Sequence, residues 1–200
     1  MTYAFVHSPV FDRITAGRLL PVLRSTDTDA TLTLARRLVE AGVELLEITT
    51  TVPGWQTLLQ TLRAEFPHIC VGAGTVTEPD HARTAVAAGA EFCVSPCLAP
   101  AVRAALSETG GPFIEGGLTP SEILPAARQG MAKLFPAHVG GVSYLRSLLA
   151  VAPDARIVPT GGIALAEARH WLDAGAAAVG VGGDLARVDH LREQIAEVLR

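Results

Sequence analysis

The sequence predicts an α/β protein, a single (β/α)8 TIM barrel that spans residues 1–200, and three observations support this fold class. Short apolar runs alternate with amphipathic segments, and there are eight such runs. Successive runs begin about 20–25 residues apart, which suits one strand followed by one helix. Several helical segments end in Ala-Gly, where glycine adopts the left-handed conformation that ends a helix. Eight such units favour a closed barrel, and a doubly wound open sheet is the alternative.

The predicted elements follow in order along the chain. The strands cover residues 19–24, 45–51, 70–75, 92–96, 112–118, 131–137, 155–162 and 178–183. Helical patterns lie between them, for example over residues 29–42, 79–90 and 164–176. Residues 1–18 precede the first strand. Within them, SPVFDRITAG is predicted to form an N-terminal helix that closes the bottom of the barrel.

Composition excludes several functional classes. Apolar residues make up 49% of the chain and charged residues 18%, which predicts a large core rather than disorder. The formal net charge is −4 and the arginines are scattered, so we expect no nucleic-acid partner. No stretch approaches the roughly 20 continuous apolar residues of a membrane span, so we expect no membrane partner. The first residues lack the pattern of a signal peptide, and we expect a cytoplasmic protein.

Cysteine and histidine positions predict neither disulfides nor a metal site. Cys70, Cys93 and Cys97 are odd in number and form no CxxC pair. We interpret them as buried thiols in a reducing cytosol. The histidines show no metal-ligand spacing such as HExxH. We therefore expect no metal and no other cofactor.

The most informative residue is Lys133, the only lysine beside 15 arginines. It lies in the apolar run MAKLFPA, whereas surface lysines usually lie among polar residues. A desolvated lysine can become a nucleophilic amine that forms a Schiff base, which arginine cannot do. The alternative is that one lysine remained by accident. Because side chains alternate along a strand, Met131, Lys133 and Phe135 share one face, which we assign to the barrel interior.

Glu47 is a second candidate catalytic residue. It lies in LLEITTT, where Leu45, Glu47, Thr49 and Thr51 share a face. A carboxylate among such residues is costly to bury without a partner. It is either a general acid/base that moves protons during Schiff-base chemistry or one half of a salt bridge to an arginine.

Further candidates lie at the carboxyl ends of strands, where barrel active sites form. Arg24 ends the first strand and suits a substrate carboxylate, with a rim salt bridge as the alternative. Thr75 ends VGAGT, and its hydroxyl can bind a carboxylate oxygen. Ser95 and Pro96, which end the fourth strand, are weaker candidates.

Two glycine-rich turns complete the set of candidate residues. PTGGI, with Thr160, Gly161 and Gly162, ends the seventh strand, and VGVGG, with Gly182 and Gly183, ends the eighth. Backbone amides in such turns bind phosphate in many barrels, and the alternative is that the glycines serve only tight turns.

Together these segments resemble the class I aldolases of the Entner–Doudoroff type. These are 2-keto-3-deoxy-6-phosphogluconate (KDPG) aldolase and 4-hydroxy-2-oxoglutarate (KHG) aldolase. The matching segments, in the family's order from residue 19 to residue 185, are GVELLEITTTVPG, VGAGTVT, AEFCVSP, TPSE, KLFPA, PTGGI and AVGVGG.

The resemblance implies a homotrimeric barrel that cleaves a 2-keto-4-hydroxy acid into pyruvate and an aldehyde without metal. It implies that Lys133 forms the Schiff base, that Glu47 transfers protons and that Thr75 binds pyruvate. It also places Phe135 and the glycines of both turns at the substrate. One branch of the family has an arginine where this chain has Thr51, and the resemblance assigns that carboxylate-binding role to Arg24.

Four positions depart from the family's pattern. Glu115 stands where the family has proline, His138 where it has glutamate, and Gly183 where it has serine, and Asp184 follows. Asp184 would repel a phosphate unless it turns outward to cap the next helix. Phosphorylated and unphosphorylated substrates therefore both stay open. Two other functions also stay open: a phosphate-binding isomerase or synthase, and a non-catalytic ligand-binding relative.

Overall fold

The computed structural model describes residues 7–200, and its sheet has eight parallel strands in the order β7-β6-β5-β4-β3-β2-β1-β8. The strands are β1 (Leu19–Leu23), β2 (Leu45–Thr49), β3 (Cys70–Gly74), β4 (Cys93–Val94), β5 (Phe113–Gly117), β6 (Ala132–Leu134), β7 (Ile157–Pro159) and β8 (Val179–Val181). A parallel bridge between Thr160 and Gly180 joins the two ends of the sheet. The predicted (β/α)8 barrel is confirmed.

Helices alternate with the strands around the barrel. They are α1 (Pro9–Gly17), α2 (Thr28–Glu40), α3 (Trp55–Glu65), α4 (Pro79–Ala87), α5 (Pro100–Thr109), α6 (Pro120–Arg128), α7 (Gly141–Val151), α8 (Ala168–Asp173) and α9 (Leu191–Leu199). Short 3-10 turns at Ala137–Val139, Leu165–Glu167 and Leu185–Arg187 follow β6, β7 and β8. No helix within residues 7–200 is long and apolar enough to cross a membrane.

The ends of the helices have local causes in the sequence. The Asp27 carboxylate accepts the Ala30 amide at 2.9 Å and starts α2. A capping box between Thr119 and Glu122 starts α6. The hydrogen bond from the Thr119 amide holds the pKa of Glu122 below its usual range. Gly42 and Gly89 follow α2 and α4 with φ of 99° and 89°, as the Ala-Gly pattern predicts.

Two hydrophobic layers fix the barrel. The larger lies between the strands and the surrounding helices. The smaller fills the lower interior, where α1 contributes Phe11 and Ile14 and the strands contribute inward residues such as Leu45 and Met131. Helix α1 thus packs against the amino-terminal end of the barrel. Residues 1–6 of the predicted N-terminal segment lie outside the described residues.

The observed strands are shorter than predicted, most of all β7 and β6. Single backbone hydrogen bonds to neighbouring strands continue past the strand ends, for example from the Ser95 amide to the Ile114 carbonyl at 3.1 Å and from the Phe135 amide to the Gly117 carbonyl at 2.9 Å. In the loop after β4 the Ser95 hydroxyl donates to the Cys97 carbonyl at 2.6 Å.

The interpretation of all three cysteines as buried is wrong for one of them. Cys70 and Cys93 are buried, and burial raises the pKa of each thiol to about 12. Cys97 is exposed because β4 ends at Val94 and leaves it in the following loop.

Cys97 should be the only fast-reacting thiol of the native protein. The thiolate is the nucleophile, and a pKa near 12 leaves Cys70 and Cys93 almost fully protonated at neutral pH. A colorimetric disulfide reagent at neutral pH should therefore release one equivalent quickly and the rest only after denaturation. Cys97→Ser should remove the fast phase. Rapid reaction of a second thiol in that variant would contradict the assignment.

Candidate active site

Lys133 and Glu47 meet inside the barrel from strands on opposite sides. Lys133 lies on β6 and Glu47 on β2, and Lys133 Nζ is 3.2 Å from Glu47 Oε1. The side chains are 7% and 1% exposed. Of the two interpretations of Glu47, the salt-bridge partner is therefore this lysine and not an arginine. A buried pair of this kind costs desolvation energy, which is why such pairs are uncommon without a function.

The surroundings leave one carboxylate oxygen of Glu47 unused. A Cβ added at Gly74 would lie 2.1 Å from Glu47 Oε1, so the neighbouring strand must carry glycine for the carboxylate to fit. Glu47 Oε2 is buried and has no hydrogen-bond partner within residues 7–200. An unsatisfied buried acceptor is costly unless a ligand or a proton completes it. The site therefore holds a proton acceptor next to an amine.

Lys133 is otherwise surrounded by apolar groups. Its Nζ lies 5.6 Å from the centre of the Phe135 ring, which comes from the same inner face of the segment. Ala132 and Leu134 on either side of it are buried in the outer layer. Water is thus largely excluded from the amine except on the side of the cavity above it.

A cavity of about 690 Å³ opens above Lys133 at the carboxyl ends of the strands. It brings together eight of the predicted residues: Arg24, Lys133, Phe135, Thr160, Gly161, Gly162, Gly182 and Gly183. As far as residues 7–200 define it, the lining does not include Thr75, Ser95 or Pro96, nor Glu47, which lies behind Lys133 and contacts its amine. The arrangement combines an amine at the floor with cations and free amides higher up.

Arg24 is held by a hydroxyl rather than by a carboxylate. Its Nη2 donates to Thr75 Oγ1 at 2.9 Å, and its other N–H groups have no partner among residues 7–200. Thr75 has a φ of 59°, a left-handed conformation that costs a non-glycine residue about 1–3 kcal/mol. The Thr75 carbonyl in turn accepts the Thr50 hydroxyl at 2.9 Å. Within residues 7–200 Arg24 forms no rim salt bridge.

Ser95 and Pro96 hold the loop after β4 against β5. Ser95 is fully buried, and its hydroxyl also accepts the Gly116 amide at 3.4 Å. A Cβ added at Gly116 would lie 2.4 Å from the Pro96 carbonyl carbon. Contacts of Thr75, Ser95 and Pro96 with a substrate remain predictions.

Glu115 braces the same loop from the outer side of β5. It accepts the Ala99 amide at 2.6 Å and the Arg103 guanidinium of α5, with Arg103 Nε at 3.1 Å. The buried carboxylate is thus neutralised within the scaffold, away from the cavity. This departure from the family's pattern does not touch the candidate site.

His138 and Asp184 both lie against the turn after β7. His138 Nδ1 is 3.3 Å from the Gly161 carbonyl oxygen. Asp184 Oδ2 accepts the Leu165 amide at 3.3 Å and so links the turn after β8 to the turn after β7. Asp184 Oδ1 is buried without a partner within residues 7–200. The alternative that Asp184 turns outward to cap the next helix is wrong. Its side chain makes no capping hydrogen bond to the turn Leu185–Arg187, lines the cavity, and instead accepts the amide of the earlier 3-10 turn that precedes α8.

Sequence reasoning missed Arg187, which also lines the cavity. It ends the 3-10 turn Leu185–Arg187, three residues beyond Asp184. Residues three apart in a 3-10 turn lie on the same side. The spacing of three residues between Asp184 and Arg187 could have predicted that both lie at the cavity. That prediction requires knowing beforehand that the segment forms a 3-10 turn.

A family model, described as "KDPG and KHG aldolase", matches residues 10–200 of the chain. Similar proteins include 2-dehydro-3-deoxy-phosphogluconate aldolase of Pseudomonas aeruginosa. It is 39% identical over 153 residues, which cover 74% of this chain and 69% of that protein.

Two solved structures resemble the fold along almost its whole length. One is the 4-hydroxy-2-oxoglutarate/2-dehydro-3-deoxyphosphogluconate aldolase from TTHB1, at 35% identity and a TM-score of 0.80, covering 96% of this chain and 98% of that one. The other is KDPG aldolase from Legionella pneumophila with pyruvate captured as a covalent carbinolamine. It has 29% identity and a TM-score of 0.80, and the match covers 96% and 97% of the two chains.

Removing either charge of the buried pair should destabilise the fold more than removing both. Lys133→Met or Glu47→Met alone leaves an unpaired buried charge, which typically costs about 3–5 kcal/mol. The double variant leaves no charge and should lose much less than the sum of the two. Urea unfolding of the four proteins measures the coupling. Additive losses would mean that the two side chains do not interact in solution.

Proposed function

This chain belongs to the KDPG and KHG aldolase family, and from that premise we propose that it cleaves a 2-keto-4-hydroxy acid through a Schiff base on Lys133. It is an aldolase, a carbon–carbon lyase. The two other functions left open by the sequence, an isomerase or synthase and a non-catalytic ligand-binding relative, lose support because the relatives are aldolases.

One observation carries the proposal: the amine of Lys133, which lines the cavity, makes a buried contact of 3.2 Å with Glu47 Oε1. Schiff-base formation needs an unprotonated amine and a group that moves protons beside it. Glu47 is the carboxylate within reach, and its second oxygen is unpaired among residues 7–200. The carbinolamine trapped in the Legionella pneumophila relative supports the same chemistry here.

The proposed reaction proceeds in balanced steps. The Lys133 amine attacks the C2 carbonyl carbon, and the carbonyl oxygen, once protonated, leaves as water to give a protonated imine. A base removes the proton of the C4 hydroxyl, the C3–C4 bond breaks, and the aldehyde leaves. The electron pair passes to the imine nitrogen and forms an enamine. Protonation of C3 and addition of water release pyruvate and the free amine.

Glu47 is proposed to carry the protons of these steps. It donates to the leaving oxygen of the carbinolamine, accepts from the C4 hydroxyl and returns a proton to C3. Positioned acid–base groups of this kind typically contribute about 10²–10⁴-fold in rate. Gly74 on β3 leaves the space that the Glu47 carboxylate occupies. The position of the carboxylate, and so the geometry of proton transfer, therefore depends on this glycine.

Arg24 is proposed to bind the carboxylate of the pyruvate half. Its guanidinium is held by Thr75 at 2.9 Å and lines the same cavity as Lys133. A guanidinium matches a carboxylate with two parallel hydrogen bonds. Thr75 then acts by orienting Arg24, in addition to any direct contact with substrate.

Several finer features of the function are also proposals. KDPG, its galactonate epimer and 4-hydroxy-2-oxoglutarate are the candidate substrates, and no metal or cofactor takes part. The proposed assembly is a homotrimer in the cytoplasm, carried over from the family. If the protein is a homotrimer, light scattering should give a molar mass in solution three times that of the monomer.

Borohydride trapping with pyruvate should label Lys133. The chain has one lysine, so the amino terminus is the other primary amine, and peptide mass mapping separates the two. Lys133→Arg should abolish the label because a guanidinium stays protonated. Arg192→Lys on the exposed face of α9 is the matched control, and its added lysine should stay unlabelled. Undiminished label in Lys133→Arg would remove the Schiff-base assignment.

A further inference from the structure

Arg187 is an unpaired cation in the wall of the cavity. Its side chain is exposed and forms no hydrogen bond or ion pair with another residue of the described part of the chain. It ends the 3-10 turn after β8, three residues beyond Asp184. Fixing an arginine side chain costs conformational entropy, and no contact within the described residues offsets that cost for Arg187. Its guanidinium is therefore available to bind a ligand in the cavity.

The obvious internal partner for Arg187 is directed elsewhere. Asp184 lies three residues earlier, on the same side of the 3-10 turn. Its Oδ2 accepts the Leu165 amide at 3.3 Å, and no ion pair joins it to Arg187 in the range 7–200. The carboxylate therefore braces two turns together while the guanidinium remains free. The repulsion that Asp184 would exert on an anion is offset by a cation of the same turn.

The charges of the cavity favour anions although the chain as a whole is acidic. The formal net charge of the protein is −4. Among the lining residues within 7–200, Lys133 is matched by the Glu47 carboxylate behind it, which leaves two guanidinium groups, Arg24 and Arg187, against one carboxylate, Asp184. The cavity is thus a local positive field, which raises the concentration of anionic ligands there.

Arg24 and Arg187 lie on different sides of the mouth of the barrel. Arg24 follows β1 but its guanidinium reaches across to Thr75 after β3. Arg187 follows β8, on the other side of β1. Beside Arg187, open space surrounds Gly183, where an added Cβ would meet no atom within 4 Å. A ligand that extends from Arg24 past Lys133 can therefore place a second anionic group at Arg187.

We propose that Arg187 is a specificity-determining residue that binds an anionic group at the end of the substrate remote from pyruvate. This rests on the proposed aldolase reaction, in which the remote end becomes the aldehyde product. The anion is a phosphate or a carboxylate, since a guanidinium forms paired hydrogen bonds with either. Neutral aldehydes gain nothing from this contact, so Arg187 selects charged ones.

The test compares three aldehydes in condensation with pyruvate: glyceraldehyde 3-phosphate, glyoxylate and neutral glyceraldehyde. Arg187→Ala should lower kcat/KM for at least one of the two anionic aldehydes by about 10–150-fold, the effect of losing a charged hydrogen bond. The value for glyceraldehyde should change less than about twofold, within the range of ordinary surface substitutions. Arg187→Lys should recover part of the loss because it keeps the charge.

Two further arginine variants separate this effect from others. Arg192→Ala, on the exposed face of α9, should leave all three reactions unchanged. Arg24→Ala should raise KM for pyruvate whichever aldehyde is used. Loss confined to glyceraldehyde 3-phosphate identifies a phosphate site, and loss confined to glyoxylate identifies a carboxylate site. Equal loss for all three aldehydes, or no loss for either anion, overturns the proposal.

A direct binding measurement tests the role of Arg187 independently of whether the proposed aldolase reaction takes place. Calorimetry with glycerol 3-phosphate and with glycolate, against glycerol, measures the anion contact without any Schiff base. Weaker binding of an anion in Arg187→Ala but not in Arg192→Ala supports the role of Arg187 even if pyruvate fails to label Lys133. Equal binding in both variants, or no binding of either anion by the wild-type protein, overturns it.

Discussion

Lys133 and Glu47 meet as opposite charges in the interior of the barrel, 3.2 Å apart, and most features around them serve that contact. Strand alternation directs both side chains inward from opposite strands, and the apolar lower layer with α1 seals the barrel below them. Gly74 makes room for the carboxylate on the neighbouring strand. Burial keeps the pair close and strengthens its electrostatic interaction, while the unpaired Glu47 Oε2 leaves capacity for proton transfer.

The loops at the mouth of the barrel carry the residues proposed to bind the substrate. Hydrogen bonds and an ion pair among these loops and the adjoining strands and helices hold them in place. Thr75 fixes Arg24, Glu115 fixes the start of α5, and Asp184 ties together the turns after β7 and β8. These contacts explain two of the departures from the family's pattern as local bracing. Asp184 in particular is engaged with the Leu165 amide, so its effect on a bound anion depends on the neighbouring Arg187.

Much of this could be predicted from the sequence, because apolar runs and strand alternation follow directly from the residue pattern. The eight strands, the shared inner face of Lys133 and Phe135, and the glycine turns are of this kind. Features that depend on where a strand stops were missed. Cys97 is exposed because β4 ends at Val94, and Arg187 reaches the cavity through a 3-10 turn that has no strong sequence signal. Hydrogen-bond partners such as those of Glu115 and Asp184 require three-dimensional proximity.

The most direct test of the central claim is solvent deuterium exchange into the methyl group of pyruvate, with wild type and Glu47→Gln compared at saturating pyruvate. The amide keeps the shape of the side chain and an oxygen acceptor for Lys133 but cannot transfer a proton in the same way. We expect exchange to slow by about 10²–10⁴-fold while borohydride still labels Lys133. Exchange at close to the wild-type rate in Glu47→Gln would show that the buried carboxylate is structural and would contradict the account.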